Sequence, residues 1–304
     1  MVLVTGAYGQ LGRCMYEYII NDLGRTDWFF IGRDTIDITN KAQLEKSFKE
    51  HDNMFKYVVN CAAYTDVDKA EVDKLKSLKV NYEGLINLVE VCNKYNKTLI
   101  HISTDFVFDG QSSVPYEVNS MPNPINNYGI DKWYGENVVK AACNNYFIIR
   151  TAWLYSDKGQ NLLTNTIESI KHSNNPLYAG IDVLGSPTSA YDLAKFIHTV
   201  IQLTQHGDIN TNQIFHFVNK GVCSKYDFAK TVSFLIGDTF KTIIDHYPNT
   251  PLATRPKRAI LSTEQTEIIT GVKPNHWMCA LLKVLQKMGE LDVRHIDYNH
   301  YNNF

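Results

Sequence analysis

A glycine-rich turn in the segment VTGAYGQLG most constrains what this chain can fold into. Gly6, Gly9 and Gly12 follow a short apolar run, MVLVT, and open an amphipathic segment, QLGRCMYEYII. Glycines at this spacing between a strand and a helix permit a tight turn and let a pyrophosphate approach the positive end of the helix. Tight packing of the helix on the strand is the alternative explanation. The context of strand, turn and helix predicts a dinucleotide site.

Behind this turn, short runs rich in β-forming residues alternate with longer amphipathic segments. The predicted strands are MVLVT, WFFIG, YVVNC, TLIHIS and YFIIRT, and the last predicted helix of this half is NNYGIDKWYGENVVKAAC. Such alternation is typical of βαβ units in a parallel sheet that helices cover on both faces. We therefore predict an α/β protein with a Rossmann-type, doubly wound parallel sheet.

The second half of the chain is organised more loosely. Its predicted helices, QNLLTNTIESIKH, SAYDLAKFIHTVIQL, SKYDFAKTVSFLIG and WMCALLKVLQKM, are separated by connections rich in Gly, Pro and Asn. We predict a dinucleotide-binding domain over residues 1–153, to which some later segments return. Residues 154–304 are predicted to form mainly a smaller α+β lobe that binds the substrate.

The composition of the chain limits which binding partners and which cellular setting we expect. The 304 residues include 30 Lys and Arg against 32 Asp and Glu, a net charge of −2, without a basic block that would follow a phosphate backbone. Nucleic acid is therefore not an expected partner. The longest apolar stretches are too short to span a bilayer, and the N-terminus does not resemble a signal peptide. Six cysteines without Cys-x-x-Cys spacing indicate neither disulfides nor zinc, and we expect a reduced, cytoplasmic setting with no metal ligands.

The end of the second predicted strand bears on the choice of cofactor. An NAD site usually has an acidic residue there that binds the ribose 2′-hydroxyl, whereas this strand runs WFFIG and continues with Arg33 and Asp34. An arginine at this position is suited to a 2′-phosphate. We therefore expect NADPH, with NADH as the open alternative because Asp34 is only one residue away. An exposed arginine without a ligand is the structural alternative.

The segment YGIDK places a phenol and an ammonium on one helix face, because Tyr128 and Lys132 are four residues apart. Such a pair alone is typical of an exposed helix. Ser103 and Thr104, however, end a predicted strand at the carboxyl edge of the sheet, where ligands of α/β folds bind. A hydroxyl there would hold a carbonyl, Tyr128 would donate a proton, and Lys132 would lower the phenol's pKa from about 10.

Together these motifs resemble the extended short-chain dehydrogenases/reductases and, within them, the dTDP-4-dehydrorhamnose reductase family. The matching segments are VTGAYGQLG, DIT, VVNCAAYTDVDKAE, VNYEG, ISTDFVFDG, PYE, PINNYGIDKWYGE, RTAWLY, GSPT and RP. The resemblance implies NAD(P)H-dependent reduction of the 4-keto group of dTDP-4-dehydro-L-rhamnose to dTDP-L-rhamnose. It also implies a nucleotide-sugar substrate and a monomer or homodimer. A Mg²⁺ ion at a subunit contact stays open.

The resemblance also implies roles for particular residues. The implied catalytic residues are Thr104, Tyr128 and Lys132. Lys132 would also hold the nicotinamide ribose. With Arg33 included, the predicted cofactor-binding residues are Gly6, Tyr8, Gly9, Gln10, Leu11, Gly12, Arg33, Asp37, Ile38, Ala62, Ala63, Tyr64, Tyr128 and Lys132. The predicted substrate-binding residues are Thr65, Val67, Thr104, Asp105, Trp153 and Arg255, with the segment Gly185–Thr188 also lining the cleft.

Structural roles compete with several of these assignments. Asp105 would cap a loop, Trp153 would belong to the core between the lobes, and Arg255 would be buried for packing rather than for a diphosphate. Asp131 departs from the family, which usually has a small hydroxyl residue there. We expect its carboxylate to compete for the ammonium of Lys132, which would leave the phenol less acidic.

The substrate also has alternatives. The segment AGIDVLGSPT lacks a glutamine that often precedes the family's Gly-Ser-Pro-Thr, so the nucleotide and the sugar epimer stay open. A reductase or epimerase for another nucleotide-linked 4-ketosugar is one alternative, and a non-catalytic regulatory member of the family is another. Dehydration is disfavoured because Asp105 is followed by Phe106 instead of a glutamate.

Overall fold

A six-stranded parallel sheet forms the centre of the protein in the computed structural model, which describes residues 1–238, 242–245 and 251–292. Its strands are β1 (Val2–Thr5), β2 (Trp28–Ile31), β3 (Tyr57–Asn60), β4 (Thr98–Thr104), β5 (Tyr146–Thr151) and β10 (Gln213–His216). They lie in the order β10-β5-β4-β3-β1-β2, and every pair is parallel. The predicted α/β class and doubly wound sheet are confirmed.

Eleven α-helices lie within the described residues. They are α1 Gln10–Tyr16, α2 Lys41–Glu50, α3 Val67–Val72, α4 Lys74–Leu78, α5 Gly84–Lys94, α6 Asn127–Ala142, α7 Leu162–His172, α8 Ala190–His206, α9 Lys225–Leu235, α10 Glu264–Thr270 and α11 Trp277–Met288. A π-helical turn at Lys79–Glu83 joins α4 to α5, so helical structure is continuous from Lys74 to Lys94. A second π-helical turn, Glu17–Asp22, extends α1.

Both faces of the sheet are covered, because its strands are apolar on both sides. Helices α1 and α8 cover one face, where Leu11, Met15 and Phe196 are buried against the strands. Helices α2, α5 and α6 cover the other face through Leu44, Leu88 and other buried side chains. In the part of the chain that the structure describes, no helix is long and apolar enough to cross a membrane.

The second lobe is smaller and mostly helical. Its strands are short pairs: β6 (Leu154–Tyr155) with β9 (Thr188–Ser189), β7 (Leu177–Tyr178) with β12 (Ile243–Ile244), and β8 (Leu184–Gly185) with β11 (Cys223–Ser224). Helices α7, α9 and α11 share a separate core. Strand β10 and helix α8 come from this half of the chain but lie on the central sheet. The domain boundary at residue 153 therefore stays a prediction.

The strand order reverses between β1 and β3, and ligands of open α/β sheets bind at the carboxyl ends of the strands at such a point. The glycine-rich turn follows β1 there. Gly6 has a φ of +67°, and a Cβ on it would lie 2.6 Å from the backbone nitrogen of Ala62 at the end of β3. A Cβ on Gly12 would lie 2.5 Å from the carbonyl oxygen of Gly6. Both glycines are therefore required by close backbone packing.

We predict that Gly6→Ala destabilises the fold more than Gly24→Ala. Both glycines have positive φ, so each alanine costs about 1–2 kcal/mol in backbone conformation. Gly24 has open space around its Cα, whereas Gly6 faces the Ala62 backbone, which adds about 1–3 kcal/mol of overpacking. Urea unfolding of the two variants measures the difference. Equal losses of unfolding free energy would contradict the steric argument.

Candidate active site

The glycine-rich turn is exposed at Gly9, where a ligand could approach it. Gly9 is the N-cap of α1 and makes no side-chain capping hydrogen bond. A Cβ on Gly9 would meet only the Gly6 carbonyl oxygen, at 3.2 Å, so this position does not need glycine for packing as strictly as Gly6 does. Leu11 is buried in the core, and the Gln10 amide donates to the Leu154 carbonyl oxygen at 3.3 Å. The turn thus has uncapped N–H groups that suit a pyrophosphate.

The segment after β2 is held by side-chain hydrogen bonds. Arg33 is 73% exposed and its Nε lies 2.9 Å from a carboxylate oxygen of Asp37. That carboxylate also accepts from the Thr39 backbone and hydroxyl, and these donors hold its pKa below the usual range although burial opposes the shift. The ring of Tyr8 lies directly over Gly32, where a Cβ would overlap it. Arg33 is therefore accessible to a ligand, and the predicted 2′-phosphate contact stays a prediction.

The side chains of Asn60 and Asn81 hold the backbone of the predicted cofactor site in place. Neither residue was predicted from the sequence to belong to the site. The Asn81 side chain accepts from the Tyr64 backbone N–H and donates to its carbonyl oxygen, both at 2.9 Å. The Asn60 side chain accepts from the Ala62 N–H at 3.2 Å. These bonds hold Ala62 to Tyr64 at the end of β3. Ile38 is buried, with its carbonyl oxygen bonded by Asn87.

Helix α6 brings Tyr128 to the end of β4. Asn126 caps the helix by accepting from the Gly129 N–H at 2.8 Å. A Cβ on Gly129 would overlap the Phe106 carbonyl oxygen, so this glycine lets the helix approach the turn after β4 closely. The rings of Phe106 and Tyr128 meet edge to face, 5.6 Å between centroids. The glycine within YGIDK is therefore a packing requirement that places the phenol beside Thr104.

The pKa of Tyr128 is raised to about 12, against the expected lowering. Burial is the main cause; the negative charge of Asp105 adds to it, and a hydrogen bond with Thr104 opposes it. The Thr104 hydroxyl accepts from the Phe106 N–H at 3.2 Å and donates to the Asp105 carboxylate at 3.1 Å. The phenol is thus neutral and protonated at physiological pH.

The ammonium of Lys132 is directed into the sheet. Its Nζ donates to the Ile102 carbonyl oxygen at 2.6 Å and lies 3.2 Å from Nε2 of His101. Lys132 is 2% exposed, and burial lowers its pKa to about 8 while Glu136 opposes the shift. Burial and the charge of Lys132 both lower the pKa of His101, so the imidazole is neutral. The lysine therefore keeps a positive charge at neutral pH in a largely dry site.

Asp131 does not compete for that ammonium, contrary to the expectation. Its carboxylate is directed towards α4, where it accepts from the Ser77 hydroxyl at 2.5 Å. Burial raises its pKa, and the charge of Glu71 adds to this. Adjacent residues of a helix point about 100° apart, so Asp131 packs on α4 while Lys132 faces the sheet. The departure from the family therefore has a local structural explanation.

A buried ion pair lies beneath the predicted catalytic residues. Both carboxylate oxygens of Glu136 accept from Arg150, at 2.8 and 2.7 Å, and both side chains are almost fully inaccessible. Ser103 donates to the same carboxylate at 2.6 Å, so its hydroxyl is occupied within the protein. Arg150 also lies 3.2 Å from Nε2 of His216, whose pKa burial lowers to about 3. Glu136, Arg150 and His216 were not among the site residues predicted from the sequence.

Trp153 lies at the boundary between the lobes in a strained conformation. Its φ is +46°, which is unfavourable for a bulky residue. The indole packs on Gly185, where a Cβ would lie 2.5 Å from the ring. Its carbonyl oxygen accepts from the Thr188 N–H at 3.2 Å. The Gly-Ser-Pro-Thr segment thus holds the indole half-buried, and strained backbone of this kind often occurs at ligand sites.

Asp105 is buried beside Tyr128, the predicted acid. Arg255 lies against helix α3. Burial raises the pKa of Asp105 to about 7. Arg255 makes two hydrogen bonds of 2.6 Å to Asp68 of α3 and a third to the Ala253 carbonyl oxygen. Asp68 follows the predicted substrate residue Val67, and its pKa falls to about 2 because Arg255 stabilises the carboxylate. Thr65 is exposed at the same edge.

Another cavity lies away from Thr104, Tyr128 and Lys132. A cavity of about 420 Å³ is lined by Ser186, Asn219, Ser262, Glu264 and other residues of the second half, with none of the predicted catalytic residues. We regard the carboxyl end of β4 as the site because Thr104, Tyr128 and Lys132 bring a hydroxyl, a phenol and an ammonium together there. Over residues 1–238, 242–245 and 251–292, no group of three His, Cys, Asp or Glu side chains is arranged to hold a metal ion.

We predict that Glu136→Gln lowers the unfolding free energy by about 3–5 kcal/mol, because it leaves the Arg150 charge buried without its carboxylate. The control is Glu45→Gln, which removes an exposed bridge to Lys94 and costs less than about 1 kcal/mol. Urea unfolding at pH 7 measures both. A loss in Glu136→Gln no larger than that in the control would contradict the importance of the pair.

Comparisons with known proteins agree with the fold and with the motifs. The family model described as the RmlD substrate binding domain matches residues 1–290. A dTDP-4-dehydrorhamnose reductase from Sinorhizobium fredii is 32% identical over 282 residues, covering 90% of this chain and 93% of the relative. A dTDP-4-keto-6-deoxy-D-glucose reductase from Streptomyces niveus is 34% identical over 236 residues, covering 77% and 78%. The crystal structure of dTDP-4-dehydrorhamnose reductase from Bacillus anthracis in complex with NADP has a TM-score of 0.85, 30% identity and coverage of 94% and 98%. The chain therefore belongs to the family of the RmlD substrate binding domain, the dTDP-4-dehydrorhamnose reductases, as its sequence predicted.

Proposed function

We propose that the protein reduces the 4-keto group of dTDP-4-dehydro-L-rhamnose to give dTDP-L-rhamnose, with NADPH as the cofactor. The observation that carries the proposal is the position of Tyr128 beside Thr104 at the carboxyl end of β4, with Lys132 one helical turn further along α6. A phenol, a hydroxyl and an ammonium at a sheet edge are the groups that carbonyl reduction requires. Family membership supplies the substrate class.

The cofactor would bind between the glycine-rich turn and the end of β3. Gly9 and the uncapped N–H groups at the start of α1 suit its pyrophosphate, and the backbone from Ala62 to Tyr64 would lie along it. Arg33 is accessible for the 2′-phosphate. The NADP complex of the Bacillus anthracis reductase supports this choice. The bound nicotinamide supplies the hydride for the reduction.

The chain's own residues then hold the ketone and deliver the proton. Thr104 donates a hydrogen bond to the carbonyl oxygen, which requires its hydroxyl to release Asp105. Tyr128 donates its proton to the same oxygen as negative charge develops there, and general acids of this kind contribute about 10²- to 10⁴-fold to the rate. Lys132 would hold the nicotinamide ribose and stabilise the phenolate that Tyr128 becomes, which requires its ammonium to leave the Ile102 carbonyl oxygen and His101. Trp153 presents its indole to the apolar face of the 6-deoxysugar.

The proposal is tested first by the oxidation of NADPH and NADH, followed at the nicotinamide absorbance. The substrates are enzymatically prepared dTDP-4-dehydro-L-rhamnose and its UDP analogue. We expect rapid oxidation of NADPH with the dTDP sugar. Oxidation with another nucleotide-linked 4-ketosugar alone would move the assignment to a different substrate, as the similarity to the Streptomyces niveus enzyme illustrates. Binding of cofactor and nucleotide without any oxidation would indicate a regulatory member of the family.

We predict that Tyr128→Phe lowers kcat by about 10²- to 10⁴-fold with little change in KM, because it removes the proton donor and keeps the ring contact with Phe106. Tyr134→Phe is the matched control, since it removes a hydroxyl from a half-exposed tyrosine of the same helix. Steady-state kinetics at pH 7 with saturating NADPH compare the two. Full turnover in Tyr128→Phe would refute its role as the acid.

We also predict that Arg33→Ala raises KM for NADPH at least about tenfold and leaves KM for NADH nearly unchanged, because only NADPH carries the 2′-phosphate. Lys46→Ala is the control, since Lys46 is equally exposed on α2. Kinetics with the two cofactors measure the ratio. An equal rise in KM for both cofactors would indicate that Arg33 only supports the loop through Asp37.

A further inference from the structure

Lys225 lies beside Trp153, the residue to which the proposed function gives the contact with the sugar. It follows β11, which pairs antiparallel with β8, so that Cys223 lies opposite Gly185. The indole of Trp153 packs on that same glycine. The Nζ atom of Lys225 is 5.8 Å from the centroid of the indole. The lysine therefore stands beside the surface on which the proposed function places the sugar.

The stability of helix α9 does not require a cation at this position. Lys225 is the first residue of the helix, and a positive charge there opposes the helix dipole. The helix start is stabilised instead by a capping box, in which Ser224 and Asp227 bond each other's backbone N–H. The capping box therefore does not account for the lysine, whose ammonium is directed to the Trp153 indole instead.

The other cations near Lys225 are already paired. Arg255 is held by Asp68, and Lys257 lies 3.4 Å from the carboxylate of Asp182. Lys225 interacts electrostatically with Arg255 and with the carboxylates of Asp68, Asp105 and Asp182. Within the residues that the structure describes, Lys225 makes no hydrogen bond or salt bridge of its own. Its ammonium is therefore the one of these three cations that is free to take an anion.

Burial lowers the pKa of Lys225, and the positive charge of Arg255 adds to that shift. Removing a lysine's charge from water without a partner is unfavourable, and a bound anion would offset this cost. A nucleotide-sugar carries its diphosphate directly on the sugar, next to the ring that the indole would contact. Lysine binds phosphate as a compact point charge with three donors.

We infer that Lys225 binds the sugar-side phosphate of the nucleotide-sugar diphosphate, while Arg255 stays with Asp68 as a bridge between the two lobes. The inference rests on the proposed function, because it takes the substrate class from there. It differs from the expectation drawn from the resemblance, which placed Arg255 among the substrate-binding residues. Selectivity for a nucleoside diphosphate over a monophosphate follows from it, since a monophosphate lacks the sugar-side phosphate.

The test is isothermal titration calorimetry of the full chain with dTDP and dTMP, and with UDP and UMP in parallel. We expect Lys225→Met to weaken dTDP binding roughly 10- to 100-fold and dTMP binding less than about threefold. Lys225→Arg should retain dTDP binding within about fivefold. Lys230→Met is the matched control: Lys230 is on the same helix, 5.5 Å over the ring of Tyr226, and its loss should change neither affinity.

Three results would overturn the inference. Equal weakening of diphosphate and monophosphate binding would mean that Lys225 only supports the indole of Trp153. Unchanged binding in Lys225→Met, or a wild-type protein that binds neither dTDP nor UDP, would mean that the diphosphate does not reach it. The binding assay does not depend on turnover. A wild-type protein that oxidises NADPH with no ketosugar but keeps the Lys225-dependent preference for diphosphate would contradict the proposed function and leave this inference standing.

Discussion

The ion pair between Glu136 and Arg150 fixes the helix on which the rest of the site depends. Tyr128, Lys132 and Glu136 are spaced by four residues on α6, so they lie along one face of that helix. Glu136 is fully buried and bonded by both Arg150 of β5 and Ser103 of β4. A buried charge that loses its partner costs several kcal/mol. Rotation or sliding of α6 would break the pair, so the same interaction that anchors the helix also aims the phenol at the end of β4.

A row of polar side chains continues this support across the sheet. Thr5, Asn60 and His101 are aligned in register on β1, β3 and β4. Thr5 donates to the Asn60 side chain at 2.7 Å, Asn60 lies 3.3 Å from Nδ1 of His101, and the other ring nitrogen faces Lys132. The Ala62 N–H shares the same Asn60 oxygen. One row therefore couples the start of the glycine-rich turn, the end of β3 and the ammonium, which explains why polar residues are buried here in an otherwise apolar sheet.

The features that could be predicted from the sequence are those that depend on local spacing. The glycine-rich turn, the hydroxyls at a strand end and the tyrosine and lysine on one helix face each need only a few consecutive residues. Which residues form hydrogen bonds or ion pairs with each other could not be predicted in this way, because that depends on distances between segments far apart in the chain. Asp131 bonds Ser77 on another helix, and Arg255 bonds Asp68 across the cleft. Strand β10 was also missed as a strand of the central sheet, because its pairing with β5 joins segments that are far apart in the chain.

The opposite pKa shifts of Tyr128 and Lys132 follow from one cause, because burial disfavours the charged form of each group. The phenol, at about 12, keeps its proton, and the ammonium, at about 8, holds its proton less firmly than a free lysine does. As pH rises, Lys132 loses its proton first, so the pair cannot exchange roles. In the proposed reduction the phenol could still act as an acid, since an alkoxide is a stronger base than a phenolate. In the proposed reaction the site must stabilise the phenolate left behind, and the Lys132 ammonium would supply the charge once it is released from the Ile102 carbonyl oxygen.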